Sequence, residues 1–271
     1  MRKRSSSASI TQYARVVLLF MAVNYTVSAA PFDHTHSLWD ELLQTYVVDH
    51  GAYSEVQYQP LKQTGTHKLS GYLQSLSSVS KNQFDQWTQA QRLAFLINAY
   101  NAFTVKLIID HYPVDSIKDI GGFFRSPWKI TFFTLLGEET HLDYIEHELI
   151  RGRDYAEPRI HFALVCASVG CPKLQAHAYT ADRLGTMLDA AAKTFLGDTS
   201  RNRYDSGGNI LYLSPLFKWY GEDFAAKAGS VEKFVAPYIT DDPLARQRIR
   251  SKHMDVEYLN YDWSLNDANS S

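Results

Sequence analysis

Residues 91–112, QRLAFLINAYNAFTVKLIIDHY, decide the fold. The stretch holds no Gly or Pro and is followed by Pro113, so it reads as one helix that a proline ends. On a helical wheel its apolar residues do not form a single stripe. Leu93, Tyr100, Phe103 and Leu107 cover one side, and Val105 and Ile109 cover another. A helix apolar nearly all round must be enclosed by protein, which places this one at the centre of the domain. Asn98 and Asn101 then stand three residues apart inside an apolar wall. A buried amide left unpaired costs about 1–3 kcal/mol. Both are therefore expected to hold loop backbone groups, either as scaffold or at the border of a site.

Outward from this helix, helical spacing predicts further helices over 38–48 (with Ser37 as N-cap), 69–76, 142–150, 182–196, 217–228 and 231–238. The segment 142–150 carries Asp143, Glu146 and His147. Residues 52–60 alternate weakly and fit a strand or extended arm. Residues 128–135 predict a strand, 137–140 a turn, and His141-Leu142 the resumption of the partner. Residues 159–166 (RIHFALVC) predict a buried strand. Asp205-Ser206-Gly207-Gly208 between two apolar runs signals a hairpin, and 254–261 a last strand. Strands and helices mix without regular alternation, so the expected class is α+β: one domain over 30–271, its buried helix packed on a mixed or antiparallel sheet.

The 271 residues include 45% apolar and 21% charged, an ordinary globular balance, and only two cysteines, too few for a disulfide framework. Arg2, Lys3, Arg4 and Arg15 precede any acid. The short apolar run 16–23 and Val27-Ser28-Ala29 complete the pattern of a cleaved secretory signal over 1–29. Cleavage would remove four of 27 basic groups and move the formal net charge from −2 to −6. No Lys or Arg run would remain to neutralise phosphates, so nucleic acid is not an expected partner. No second apolar run is read as reaching spanning length. The expected product is exported, periplasmic or secreted, with no permanent membrane span and a small-molecule, peptide or protein partner.

Cys166 and Cys171 bracket a Gly-containing loop after the expected strand. In an exported protein they admit a disulfide, a nucleophilic Cys166 at the end of a rigid element, or an inert buried thiol. His161 lies five positions before Cys166; on a strand that offset points the two side chains to opposite faces, about 17 Å apart. His147, from another element, is therefore the preferred base, with Asp143 one turn before it as orienter. His161 would join the cleft only if the strand were bent. Glu146, Asn98 and Arg159 are the candidate substrate-binding residues. His141, Glu146, His147, His161 and Cys166 include zinc donors, but His141 and His147 are six apart, unlike an HExxH site, and neither metal nor cofactor is expected.

Ile97-Asn98-Ala99-Tyr100-Asn101-Ala102, Leu142-Asp143-Tyr144-Ile145-Glu146-His147, Pro158-Arg159-Ile160-His161-Phe162-Ala163-Leu164-Val165-Cys166 and Tyr261-Asp262-Trp263-Ser264-Leu265-Asn266 stand in that order. As a set they closely resemble the family called domain of unknown function 547, from about residue 91 to 224 and again at the C-terminus. The resemblance implies a single α+β domain, found in exported bacterial proteins and in plant proteins joined to coiled coils. It implies no established activity. The expected function is a thiol-dependent amide or ester hydrolase or acyltransferase using Cys166, His147 and His161, with backbone N–H groups after Cys166 aiding an oxyanion. The alternative is a binding or assembly module with a structural Cys166–Cys171 disulfide.

Overall fold

A computed structural model describes residues 31–122, 125–152 and 155–268. The expected signal segment lies outside the described residues. From Phe32 onward the chain forms one compact unit.

Helix α1 (Ser37–Tyr46) starts where the Asp33 carboxylate accepts the Ser37 N–H at 2.9 Å, so Asp33 rather than Ser37 does the capping. It leads into the antiparallel pair β1 (Val47–Asp49) and β2 (Ser54–Val56). Helix α2 (Thr66–Ser77) then precedes the central helix α3 (Gln89–His111). Thr88 and Gln91 close a reciprocal capping box at the start of α3, which fixes where it begins. Its buried residues run almost unbroken from Leu93 to Val105, as an all-round apolar helix requires. By length and composition α3 is also long and apolar enough to cross a membrane, which corrects the expectation that no such run follows the N-terminus. Here 89% of its most apolar stretch is buried in protein.

β3 (Phe133–Leu135) and β4 (Glu138–Thr140) form a tight hairpin. Leu136 and Gly137 both have positive φ, 55° and 91°, as a two-residue primed turn demands. The turn therefore sits at 136–137, and the expected turn 137–140 is mostly the return strand. Helix α4 (Leu142–Tyr144) continues directly into a π-helical stretch, Ile145–Arg151. Helix α5 (Leu184–Gly197) leads to β5 (Arg203–Asp205) and β6 (Ile210–Leu213), the expected hairpin. After α6 (Gly221–Ala228), α7 (Val231–Ile239) and α8 (Pro243–Arg250), strand β7 (Asp255–Tyr258) pairs parallel to β6. The architecture is α+β, helix-rich with small separate sheets.

The expected strand 159–166 does not exist. Residues Pro158–Phe162 are a 3₁₀ turn, with Pro158 in its first turn and the Glu157 carboxylate accepting the Arg159 N–H. Leu164 N–H still reaches back to Ile160 C=O at 2.9 Å. Among the described residues, no neighbouring strand offers this apolar run a ladder. Asn101 does so instead: its amide donates to Ala163 C=O at 2.9 Å and accepts from Val165 N–H at 3.0 Å. The run also straddles two apolar clusters. Ile160 and Ala163 to Val165 pack with the α3 core, whereas Phe162 packs with Phe195, Phe217 and Phe224.

Near the start of the unit, His36 is buried in left-handed backbone (φ 53°) with its Nδ1 2.7 Å from Tyr72 OH. Burial lowers its pKa from 6.5 to about 4, outweighing the nearby Asp33 charge. An unfolded histidine takes a proton near pH 6.5 and the folded one only near 4, so stability is full above pH 6.5 and declines as pH falls toward 4. The loss from this group approaches about 3 kcal/mol. Urea melts at pH 7, 5.5 and 4 should show the decline, and His36→Asn, which tolerates positive φ, should make it shallower.

Candidate functional site

Cys166 lies where the Asn101-held segment ends and a backbone reversal begins, with Ala167 at φ 58°. The loop after it is held by the C-terminal segment. Ala167 C=O accepts from Asn266 N–H, Val169 N–H donates to Ser264 C=O, and Gly170 N–H donates to Asp262 C=O. A Cβ at position 170 would lie 2.9 Å from the Asp262 backbone N and O, so only glycine allows this approach. The docking delivers Tyr261 to the thiol.

Both cysteines are free. Cys166 Sγ has three close partners: Cys171 Sγ at 2.9 Å, Ser168 Oγ at 3.1 Å and Tyr261 OH at 3.2 Å. Hydrogen bonding from Cys171 lowers the Cys166 pKa most. Ser168 and Tyr261 add to it, and together they outweigh the upward push of burial and of the Glu146 charge. Cys171 moves the opposite way, pushed up by burial and by its neighbour. The pair thus divides into a thiolate-prone Cys166 and a Cys171 that keeps its proton.

Cys166 opens on a cavity of ≈ 260 Å³ that His147, His161 and Glu146 also line. His161, expected on the far side of a strand, reaches it because the 3₁₀ turn replaces the two-residue alternation. Its Nε2 is 2.7 Å from Asp223 Oδ2. The His161 bond and then the Arg151 guanidinium hold the Asp223 carboxyl well below the usual range, so it accepts and Nε2 carries the proton. Nδ1 is left as the acceptor nitrogen, with no partner among the described residues. The ring stacks on Tyr220 with centroids 3.9 Å apart, and burial lowers its pKa, keeping it neutral at pH 7.

His147, expected as the base of Cys166, lines the same cavity but is arranged differently. Arg151 Nη1 stands 2.7 Å from its Nδ1, and a guanidinium can only donate. Its lone pair is therefore occupied, and its Nε2 faces Asp143 at 3.7 Å. Neither imidazole hydrogen-bonds Cys166. Asn98 and Arg159 do not line the cavity either. Asn98 is fully buried and spends its amide on the Tyr179 backbone, donating to the C=O at 2.7 Å and accepting from the N–H at 3.0 Å. That is the scaffold role open to it from the sequence. Arg159 turns to Glu157 and to Asp189, 2.7 Å away. Glu146, at 7% exposure, accepts from Tyr220 OH at 2.6 Å.

Sequence reasoning passed over Ser168, Tyr220, Asp223 and Tyr261. Tyr261 stood in a quoted motif without an assigned role, and nothing in the sequence singled out Asp223. Much of the remaining wall is aromatic: Trp128, Trp219 and Trp263 join Tyr100, Tyr220 and Tyr261. Trp219, Tyr261 and Trp263 cluster with centroids 4.5–5.8 Å apart. Among the described residues, no three His, Cys, Asp or Glu side chains gather as a metal site.

The fold and cavity define an α+β domain with a hydrogen-bonded thiol at an aromatic-walled cleft. The profile of the family described as "Protein of unknown function, DUF547" matches residues 84–196, so this segment is similar to that family. The match includes both histidines and both cysteines but ends before Tyr220, Asp223 and Tyr261. No curated protein and no solved structure matches the chain.

Two outcomes follow. Asn101→Ala orphans a buried C=O and a buried N–H and should cost about 2–4 kcal/mol in urea melts. Tyr261→Phe removes one donor from the thiolate. It should raise the Cys166 pKa and slow iodoacetamide labelling at pH 7 several-fold, read by mass spectrometry of the Cys166 peptide.

Proposed function

We propose that the domain is a thiol-dependent acyl-transfer enzyme, an amide or ester hydrolase or acyltransferase, with Cys166 as nucleophile. The observation that carries this reading is geometric: Cys166 Sγ lines the cavity with three hydrogen-bonding partners within 3.2 Å, which favour thiolate where burial alone would oppose it. The second support is a neutral His161 in the same cavity, its proton fixed on Nε2 by Asp223 and its Nδ1 lone pair unspent. These features favour His161 over His147 as the base. The basic start and apolar run at the N-terminus support action outside the cytoplasm.

In the proposed reaction the Cys166 proton passes to His161 Nδ1 and the sulfur attacks the acyl carbon. The resulting oxyanion is met by the Ala167 and Ser168 N–H groups, which have no backbone partner among the described residues. Collapse breaks the bond to the amine or alcohol, which leaves with the proton from His161. Water or another nucleophile then attacks the thioester and yields its proton to His161; the C–S bond breaks, the acyl product leaves, and the proton returns from His161 to the sulfur.

Reduced protein treated with a 4-nitrophenyl acyl ester should gain one acyl group per chain on the Cys166 peptide. Cys166→Ser should abolish it, and His161→Gln should slow turnover by about 10²-fold or more. Under this reading His147→Gln retains most activity. Absence of a Cys166 adduct would overturn the proposal.

The short Cys166–Cys171 separation favours a second reading, a binding or assembly module closed by a disulfide. Alkylating the exported protein without reduction separates the two, because a bridged pair would leave no nucleophile.

A further inference from the structure

Glu146 is a carboxylate with only 7% of its surface exposed, held on the π-helical stretch against the cavity. Tyr220 OH satisfies Oε1 at 2.6 Å, while Oε2 has no partner among the described residues. A buried carboxylate without a cationic partner is costly, and retaining one at a cavity wall leaves a place for a positive group. The surrounding charges do not fill that place. Arg151, whose charge is felt by Glu146, directs its hydrogen bonds to Asp223 at 2.7 and 3.0 Å instead. Asp143, the other acid of the wall, is shared between Lys129 at 4.0 Å and His147 at 3.7 Å. Among the described residues, neither Lys nor Arg lines the cavity.

The remainder of the wall suits a cation as well. Aromatic faces attract an ammonium within about 6 Å of the ring centre. Trp263 already does so on its own surface, with Lys118 Nζ 4.6 Å from the ring. Apolar rings below and around a single unpaired carboxylate match an alkyl chain that ends in a charge. We infer that the cavity binds an aliphatic ammonium group, its charge on Glu146 Oε2 and its methylenes against the Trp and Tyr rings. This deepens the acyl-transfer reading by naming the substrate class: an amine-bearing substrate or acyl acceptor. The binding itself does not require the thiol.

The test follows the indole N–H signals of the five tryptophans while n-pentylamine, 1-pentanol or pentanoate is titrated into the Cys166→Ser protein. Trp128, Trp219 and Trp263 line the cavity, and Trp39 and Trp87 pack elsewhere as internal controls. Pentylamine should shift the three cavity signals and bind at least tenfold more tightly than either uncharged or anionic analogue. Glu146→Gln, which can still accept from Tyr220, should remove that advantage. Equal binding of the three probes overturns the inference, as does an unchanged affinity in Glu146→Gln or shifts confined to the controls. A nucleophile that fails to acylate while pentylamine still binds would sink the enzyme reading and leave this site standing.

Discussion

The side-chain amide of Asn101 takes the place of a neighbouring strand. By accepting from Val165 N–H and donating to Ala163 C=O, it satisfies two buried backbone groups of a segment that no sheet supports. Because the amide sits on the most deeply buried helix of the domain, the residue before Cys166 is positioned by the core itself. Asn98, one turn earlier, does the same for Tyr179. Two asparagines on one helix thus secure segments on either side of the Cys166–Cys171 loop. An apolar residue at either position would leave two orphaned peptide groups.

From that anchor the cavity is assembled by elements distant in sequence. The π-helical stretch carries Glu146 and His147, the 3₁₀ turn carries His161, α6 carries Asp223, and the C-terminal segment brings Tyr261 and Trp263. The polar groups form two connected chains around Tyr220. One runs from Glu146 to the Tyr220 hydroxyl. The other runs from His161, stacked on the Tyr220 ring, through Asp223 and Arg151 to His147. Within the second chain the two imidazoles meet different partners. Arg151 occupies the lone pair of one imidazole, whereas Asp223 leaves that of the other open. Two histidines of similar appearance in sequence are made chemically unequal in this way.

Much of the scaffold was legible in the sequence. The all-round apolar character of 91–112 announced a buried helix, and the cost of unpaired amides announced that Asn98 and Asn101 would hold backbone. Cys166, Glu146, His147 and His161 were named before any geometry, and all four line one cavity. The run RIHFALVC misled for a physical reason. A short apolar string fits a buried strand or a buried 3₁₀ turn equally well by composition, and the choice depends on whether a partner strand exists beside it. Arg159 was drawn away by Glu157 two residues earlier and by Asp189 on α5, an attraction that depends on where α5 packs.

What the sequence determined by itself is local and compositional: the α+β class, the central helix, the Asp205–Gly208 hairpin, and the residue types able to do chemistry. These follow from periodicity and turn propensities that act over a few positions. Only the tertiary structure decided which imidazole keeps a free nitrogen, that a tyrosine 95 positions away would lie beside the thiol, and that Glu146 would face a cavity with one oxygen unpaired. Those outcomes depend on hydrogen bonds between side chains remote in the chain, and no local pattern encodes which donor will reach which acceptor.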